Sequence, residues 1–122
     1  MTEEEQKTLD KNDARASYFY CYCFDNANIK LHEDIVCKSN EANLIYFFTK
    51  NIKRANIEKL ENAIIKTNNK YYIYVFAKDV ERSNKEKLFR KLLELNDLDY
   101  INLFLQNVNF DKNKFKELLM FL

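Results

Sequence analysis

Four side chains carry the softest chemistry in this sequence: Cys21, Cys23, Cys37 and His32. A zinc site wants two close ligand pairs, spaced Cys-x(2–4)-Cys or His-x(3–5)-His. Cys21 and Cys23 are separated by one residue, which on a helix points the two thiols about 200° apart. The cysteines therefore read as buried small apolar residues, and no metal or other cofactor is expected. His32 stands alone and reads as solvated or partner-facing. The acidic pairs Glu33-Asp34 and Asp79 with Glu81 have the chemistry of general acids and bases. No nucleophile or metal box accompanies them, so they read as solvated helix faces. No residue is assigned a catalytic role, and the expectation is a protein that is not an enzyme.

The 122 residues include neither glycine nor proline. Phosphate-cradling loops, dinucleotide fingerprints and the nucleophile elbow all need glycine for positive φ or close backbone approach. Those function classes are excluded. Tight two-residue hairpins also lean on glycine, which disfavours a β-rich meander. The 16 Lys and 16 Asn point to AT-rich coding that under-uses glycine and proline codons. The length fits one domain that buries about two-thirds of its unfolded surface. No stretch nears the roughly 18 apolar residues of a membrane span. The start, Met1-Thr2-Glu3-Glu4-Glu5, has no basic and apolar signal-peptide pattern. With three cysteines, an odd number, a reducing, cytoplasmic setting is expected.

Residues of like character recur every 28 positions. Ile45, Ile73 and Ile101 form one such series, and Phe48, Phe76 and Phe104 another. Tyr20 lies one period before Phe48, and Ala27-Asn28-Ile29 falls on Ala55-Asn56-Ile57. The register spans units of about 15–42, 43–70, 71–98 and 99–122, after a polar lead-in over 1–14. Each unit holds two apolar segments. The first reads Ile73, Phe76, Ala77, Val80, the i, i+3, i+4, i+7 stripe of a helix facing a core. The second carries Ile57, Leu60 and Ile64 in one unit and Leu88 and Leu92 in the next, again at helical spacing.

Helix ends are also marked. Ser83-Asn84-Lys85-Glu86 reads as a capping box, and Asn56 and Asp111 as N-caps. Asn68-Asn69 ends a second helix, asparagine replacing glycine in the left-handed conformation. Against this, 18–24 and 71–76 are strand formers by propensity. The period outweighs propensity. The fold expected is all-α, a short α-solenoid of about four stacked helical hairpins in which Phe48, Phe76 and Phe104 lie in the core.

The blocks Ala55-Asn56-Ile57-Glu58-Lys59-Leu60, Ala63-Ile64-Ile65-Lys66 and Phe76-Ala77-Lys78-Asp79-Val80 resemble a short helical tandem repeat of uncharacterised proteins from low-GC bacteria and their mobile elements. The resemblance covers 43–82 well and 15–42 and 83–122 loosely. Such repeats usually carry glycine before the Ala-Asn-Ile block and after the second helix, where Arg54, Arg82 and Asn68 stand here. The resemblance implies a stacked helical-hairpin fold and an interaction role, and brings no catalytic residues.

The function expected is non-enzymatic protein–protein interaction. Tyr46 and Tyr74 share one repeat position beside the core stripe and are candidate partner-binding residues, tyrosine being favoured at interfaces; the competing reading packs them between adjacent hairpins. The alternative is a small inhibitor from a phage or mobile element, of the anti-defence or anti-CRISPR type. A third reading is weak nucleic-acid binding through the basic second unit. There Lys50, Lys53, Arg54, Lys59, Lys66 and Lys70 give 43–70 a net +4, while 1–42 is net −4. The segment 115–122 has six apolar residues in eight, so Phe121 and Leu122 are candidates for a homodimer edge or a partner contact. No membrane association is expected.

Overall fold

A computed structural model of the chain describes residues 1–120. Among them every regular element is helical: α1 (Glu3–Asp10), α2 (Ala14–Cys23), α3 (Ile29–Lys38), α4 (Ala42–Asn51), α5 (Ile57–Lys66), α6 (Lys70–Asp79), α7 (Lys85–Leu95) and α8 (Leu98–Asn107), then a 3₁₀ turn (Asn113–Phe115) and α9 (Lys116–Leu119). The protein is all-α, with neighbouring helices packed on one another. The period is kept to the residue: α2, α4, α6 and α8 begin at Ala14, Ala42, Lys70 and Leu98, each 28 apart. The aromatic runs that favour strands lie in α2 and α6. A helix there buries one face repeatedly, and that burial outweighs intrinsic β propensity.

Turns without glycine are made by asparagine. Asn12, Asn40, Asn68 and Asn96 hold φ of 50°, 59°, 56° and 54°, again 28 apart. Most residues lose about 1–2 kcal/mol in this left-handed region, whereas asparagine enters it with a short side chain that bonds locally. Each marks the end of a second helix, Asn68 as expected. The first helices end differently: Phe24, Ile52, Val80 and Val108 turn extended while their N–H groups still bond the carbonyls of Tyr20, Phe48, Phe76 and Phe104.

Three sequence expectations are corrected at the helix starts. Residues 1–14 are not a lead-in, because α1 is a capped helix in which the Thr2 hydroxyl accepts from the Glu5 N–H. Glu5 stands 28 positions before Glu33, so α1 takes the place of a second helix. Nor does Ser83 cap α7: Asn84 does, accepting from the Lys87 N–H, while the Ser83 hydroxyl donates to the Val80 carbonyl. Asn56 caps α5 as expected. Asp111 accepts from the Asn113 N–H, ahead of a 3₁₀ turn and not a long helix.

The chain divides into two compact units, Met1–Thr67 and Asn68–Leu122. In the first, α2 packs on α1, α3 and α4, and α5 packs on α3 and α4. Its core holds Val36, Ile45, Phe48, Leu60 and Ile64. In the second, α6, α7 and α8 pack pairwise around Ile73, Phe76, Leu88, Leu92 and Phe104. There the Phe89 ring meets those of Phe104, Phe110 and Phe115 at 5.1, 5.0 and 4.9 Å. Phe48, Phe76 and Phe104 are all fully buried.

Candidate functional site

Two arrangements in the first unit stand out: a polar core and an open aromatic groove. The polar core departs from the repeat. Where other units have Ile45, Ile73 and Ile101, the first has Ser17; where others have Leu60 and Leu88, it has His32. The two replacements meet. His32 Nδ1 lies 3.0 Å from Ser17 Oγ, and its Nε2 lies 2.9 Å from Glu5 Oε2 on α1. The Tyr20 ring stacks on the imidazole at 5.1 Å. The same Glu5 oxygen accepts the Asn28 N–H at 2.7 Å, which holds α1 to the start of α3.

His32 is fully buried, so the expectation of a solvated or partner-facing histidine is overturned. The reason is the matched hydroxyl and carboxylate, which satisfy both ring nitrogens away from water. Serine, histidine and carboxylate in series have the connectivity of a hydrolytic relay. Ser17 is 0% exposed, however. The arrangement joins helices.

Glu33 is likewise buried, against the expectation of a solvated face. It repeats the role of Glu5 one period on, accepting the Asn56 N–H at 2.7 Å. Burial pushes its carboxyl above the ordinary range, opposed by that N–H and by Lys59. Asp79 and Glu81 are exposed, as read from sequence. Of the cysteines only Cys21 is buried; Cys37 is partly so and Cys23 is exposed. Burial, with Glu5 nearby, pushes the Cys21 thiol up to about 12, and burial beside Glu33 takes Cys37 to about 11. Neither is a thiolate at neutral pH, so neither is poised as nucleophile or ligand. Among the described residues no cluster of three metal-binding side chains occurs.

Tyr46 and Tyr74 are buried, 6% and 7% exposed, and line no open face. Tyr74 packs between helices of its unit, its hydroxyl accepting from Asn107 Nδ2 at 2.9 Å. Tyr18, at the same repeat position, accepts from Asn51 at 2.8 Å. The basic residues disperse. Arg54 donates to the carbonyls of Asp25 and Ala27, Lys59 pairs with Asp34 and Glu33, and Lys70 pairs with Asp97. Lys50, Lys53 and Lys66 remain exposed. Phe121 and Leu122 lie outside the described residues.

The groove was not read from the sequence. It runs between α2 and α4, is open, and encloses about 420 Å³. Tyr18, Phe19, Leu44 and Phe47 supply its apolar lining, with Asn43, Asn51 and Arg15 at its polar edges. Phe19 is 53% exposed and Phe47 38% exposed, on equivalent positions of adjacent helices. Tyr22, one turn from Phe19, is 61% exposed. The signal available was Phe19 and Phe47 at 28-residue spacing off the core stripe. No family model matches the chain, and neither a curated protein nor a solved structure matches it. No helix among the described residues is long and apolar enough to cross a membrane.

Proposed function

We propose that the protein is a non-enzymatic protein-binding module whose contact surface is the groove between α2 and α4. One observation carries this reading: Phe19 and Phe47 stand exposed at equivalent repeat positions on two packed helices. Single exposed apolar side chains are ordinary on protein surfaces. Two large aromatics flanking a shared apolar groove form the contiguous kind of patch that marks an interaction site. At the same position of the next repeat Val75 is buried, so the period does not itself demand an exposed aromatic here. Helical repeats present such faces on rigid helices, which lowers the ordering entropy of binding.

The test compares wild type with a Phe19→Ala, Phe47→Ala variant matched in circular dichroism and melting temperature. Proteins retained by the wild type from a host extract should be lost with the variant. Equal retention by both would remove the groove as the binding surface.

A further inference from the structure

We propose that α1 is a hinged cover over the imidazole of His32, released as a unit while the rest of Met1–Thr67 stays folded. This helix is held differently from the other second helices. Their two inward repeat positions carry Leu60 and Ile64 in α5 and Leu88 and Leu92 in α7, all fully buried. In α1 the same positions carry Glu4 and Thr8. Glu4 is exposed, and Thr8 is half-buried with its hydroxyl spent on the Glu4 carbonyl of its own helix. Only Glu5 of α1 is buried. The repeat's carboxylate clamp is therefore kept while its apolar anchors are gone.

That difference decides what opening costs. Glu5 Oε2 meets His32 Nε2 at 2.9 Å and the Asn28 N–H at 2.7 Å, and the Thr2 hydroxyl meets that of Tyr20 at 3.3 Å. Each of these bonds is exchanged for one to water when α1 lifts, so its net worth is a fraction of its strength. Apolar burial has no such substitute, and α1 has little of it to lose. Segments of this kind open well below the free energy of global unfolding. The hinge is Lys11-Asn12-Asp13, with Asn12 held left-handed at φ 50°. What opening uncovers is specific. The partner of Nε2 comes from α1, whereas Ser17 on Nδ1 and the stacked Tyr20 ring both come from α2. Release of α1 thus bares Nε2 on an imidazole still held by α2, turning a sealed histidine into an accessible one.

Two rates measured on the full chain at neutral pH decide it: amide hydrogen exchange by mass spectrometry, and acylation of the single histidine by diethyl pyrocarbonate. Both are followed across sub-denaturing urea, whose effect scales with the surface that an opening exposes. Exchange of α1 amides and acylation of His32 should depend little on urea, and in its absence should show an opening at least about 10-fold more populated than that of α4 and α5. Exchange of α4 and α5 should climb steeply with urea. Glu5→Gln, which weakens two bonds to a charged acceptor, should speed His32 acylation about 10-fold and leave its shallow urea dependence unchanged. Circular dichroism checks the fold of the variant, and the wild-type rates stand without it. Acylation of His32 that climbs with urea as steeply as α4 and α5 exchange would overturn the proposal, since the imidazole would then be reached only by global unfolding. Shallow exchange of α1 beside steep acylation would overturn it too, as fraying that leaves His32 covered. A folded Glu5→Gln variant acylated no faster than wild type would remove Glu5 as the clamp and with it the proposed cover.

Discussion

At position 32, where the next two repeats place Leu60 and Leu88, the first unit places histidine. The exchange is tolerated because it is not single: Ser17 replaces isoleucine opposite it, and Glu5 arrives from α1. His32→Leu alone leaves the buried Ser17 hydroxyl and the buried Glu5 carboxylate each short of a partner and should destabilise the protein by at least about 1–3 kcal/mol in urea denaturation. Adding Ser17→Ile removes the orphaned hydroxyl and should recover that part of the loss, the part due to Glu5 remaining. A coupling energy near zero across the double-mutant cycle would show that the two sites do not interact. Glu33 makes a second prediction, on pH. Its folded pKa is raised by burial, so the folded state holds its proton better than the unfolded chain. The stability it contributes is full below the ordinary carboxylate value and is lost as pH rises through the raised one. Glu33→Gln stays neutral throughout, so its stability relative to wild type should rise as pH climbs above the ordinary carboxylate range. A flat difference there would contradict the raised pKa.

Helix endings are the element-scale solution to a chain without glycine. Each second helix stops at an asparagine held left-handed, and each first helix stops when its last residue turns extended. The two devices alternate, which is what turns a run of helices into hairpins. Asn96 is exposed, and its N–H bonds the Leu92 and Leu93 carbonyls, so it tests the first device cleanly. Asn96→Ala should lower stability by about 1 kcal/mol, since alanine has no local bond to offset the left-handed backbone. Asn96→Gly should stay within about 0.5 kcal/mol of wild type, glycine trading a relaxed native φ for a more flexible unfolded chain. Calorimetric melting of the two variants measures this; equal losses would mean that the positive φ is not what asparagine is there for. Buried carboxylates are the second connecting element. Glu5 and Glu33 each clamp the N–H that opens the next second helix. Phe89 takes that place in the second unit and builds an aromatic cluster instead.

Within each unit, helices pack on neighbours one or two elements away in sequence. Contacts that local close small loops, so ordering entropy is recovered early and folding should be fast, in the microsecond to millisecond range of helical proteins. The chain has no proline, so no X-Pro bond has to isomerise after denaturation. Stopped-flow refolding of the 122-residue chain should therefore show no phase of tens of seconds. A slow phase of that length, insensitive to protein concentration, would contradict this account.

The sequence alone determined the helical class, the 28-residue period and the core phenylalanines. Those depend on apolar spacing along one helix face, a local property that survives any arrangement of the helices. It also marked Asn68 as a helix end and Asn56 as a cap, because both act within a turn of their own position. Only the tertiary structure decided the fate of the polar residues. His32, Glu33 and Glu5 look like surface residues in a one-dimensional pattern, since nothing nearby in sequence satisfies them. Their partners lie 15 to 27 residues away, and the fold brings them together. Tyr46 and Tyr74 passed the same way from open face to packing. Phe19 and Phe47 stand exposed off the core stripe. Exposure is a property of what packs above a residue, and no spacing rule records that.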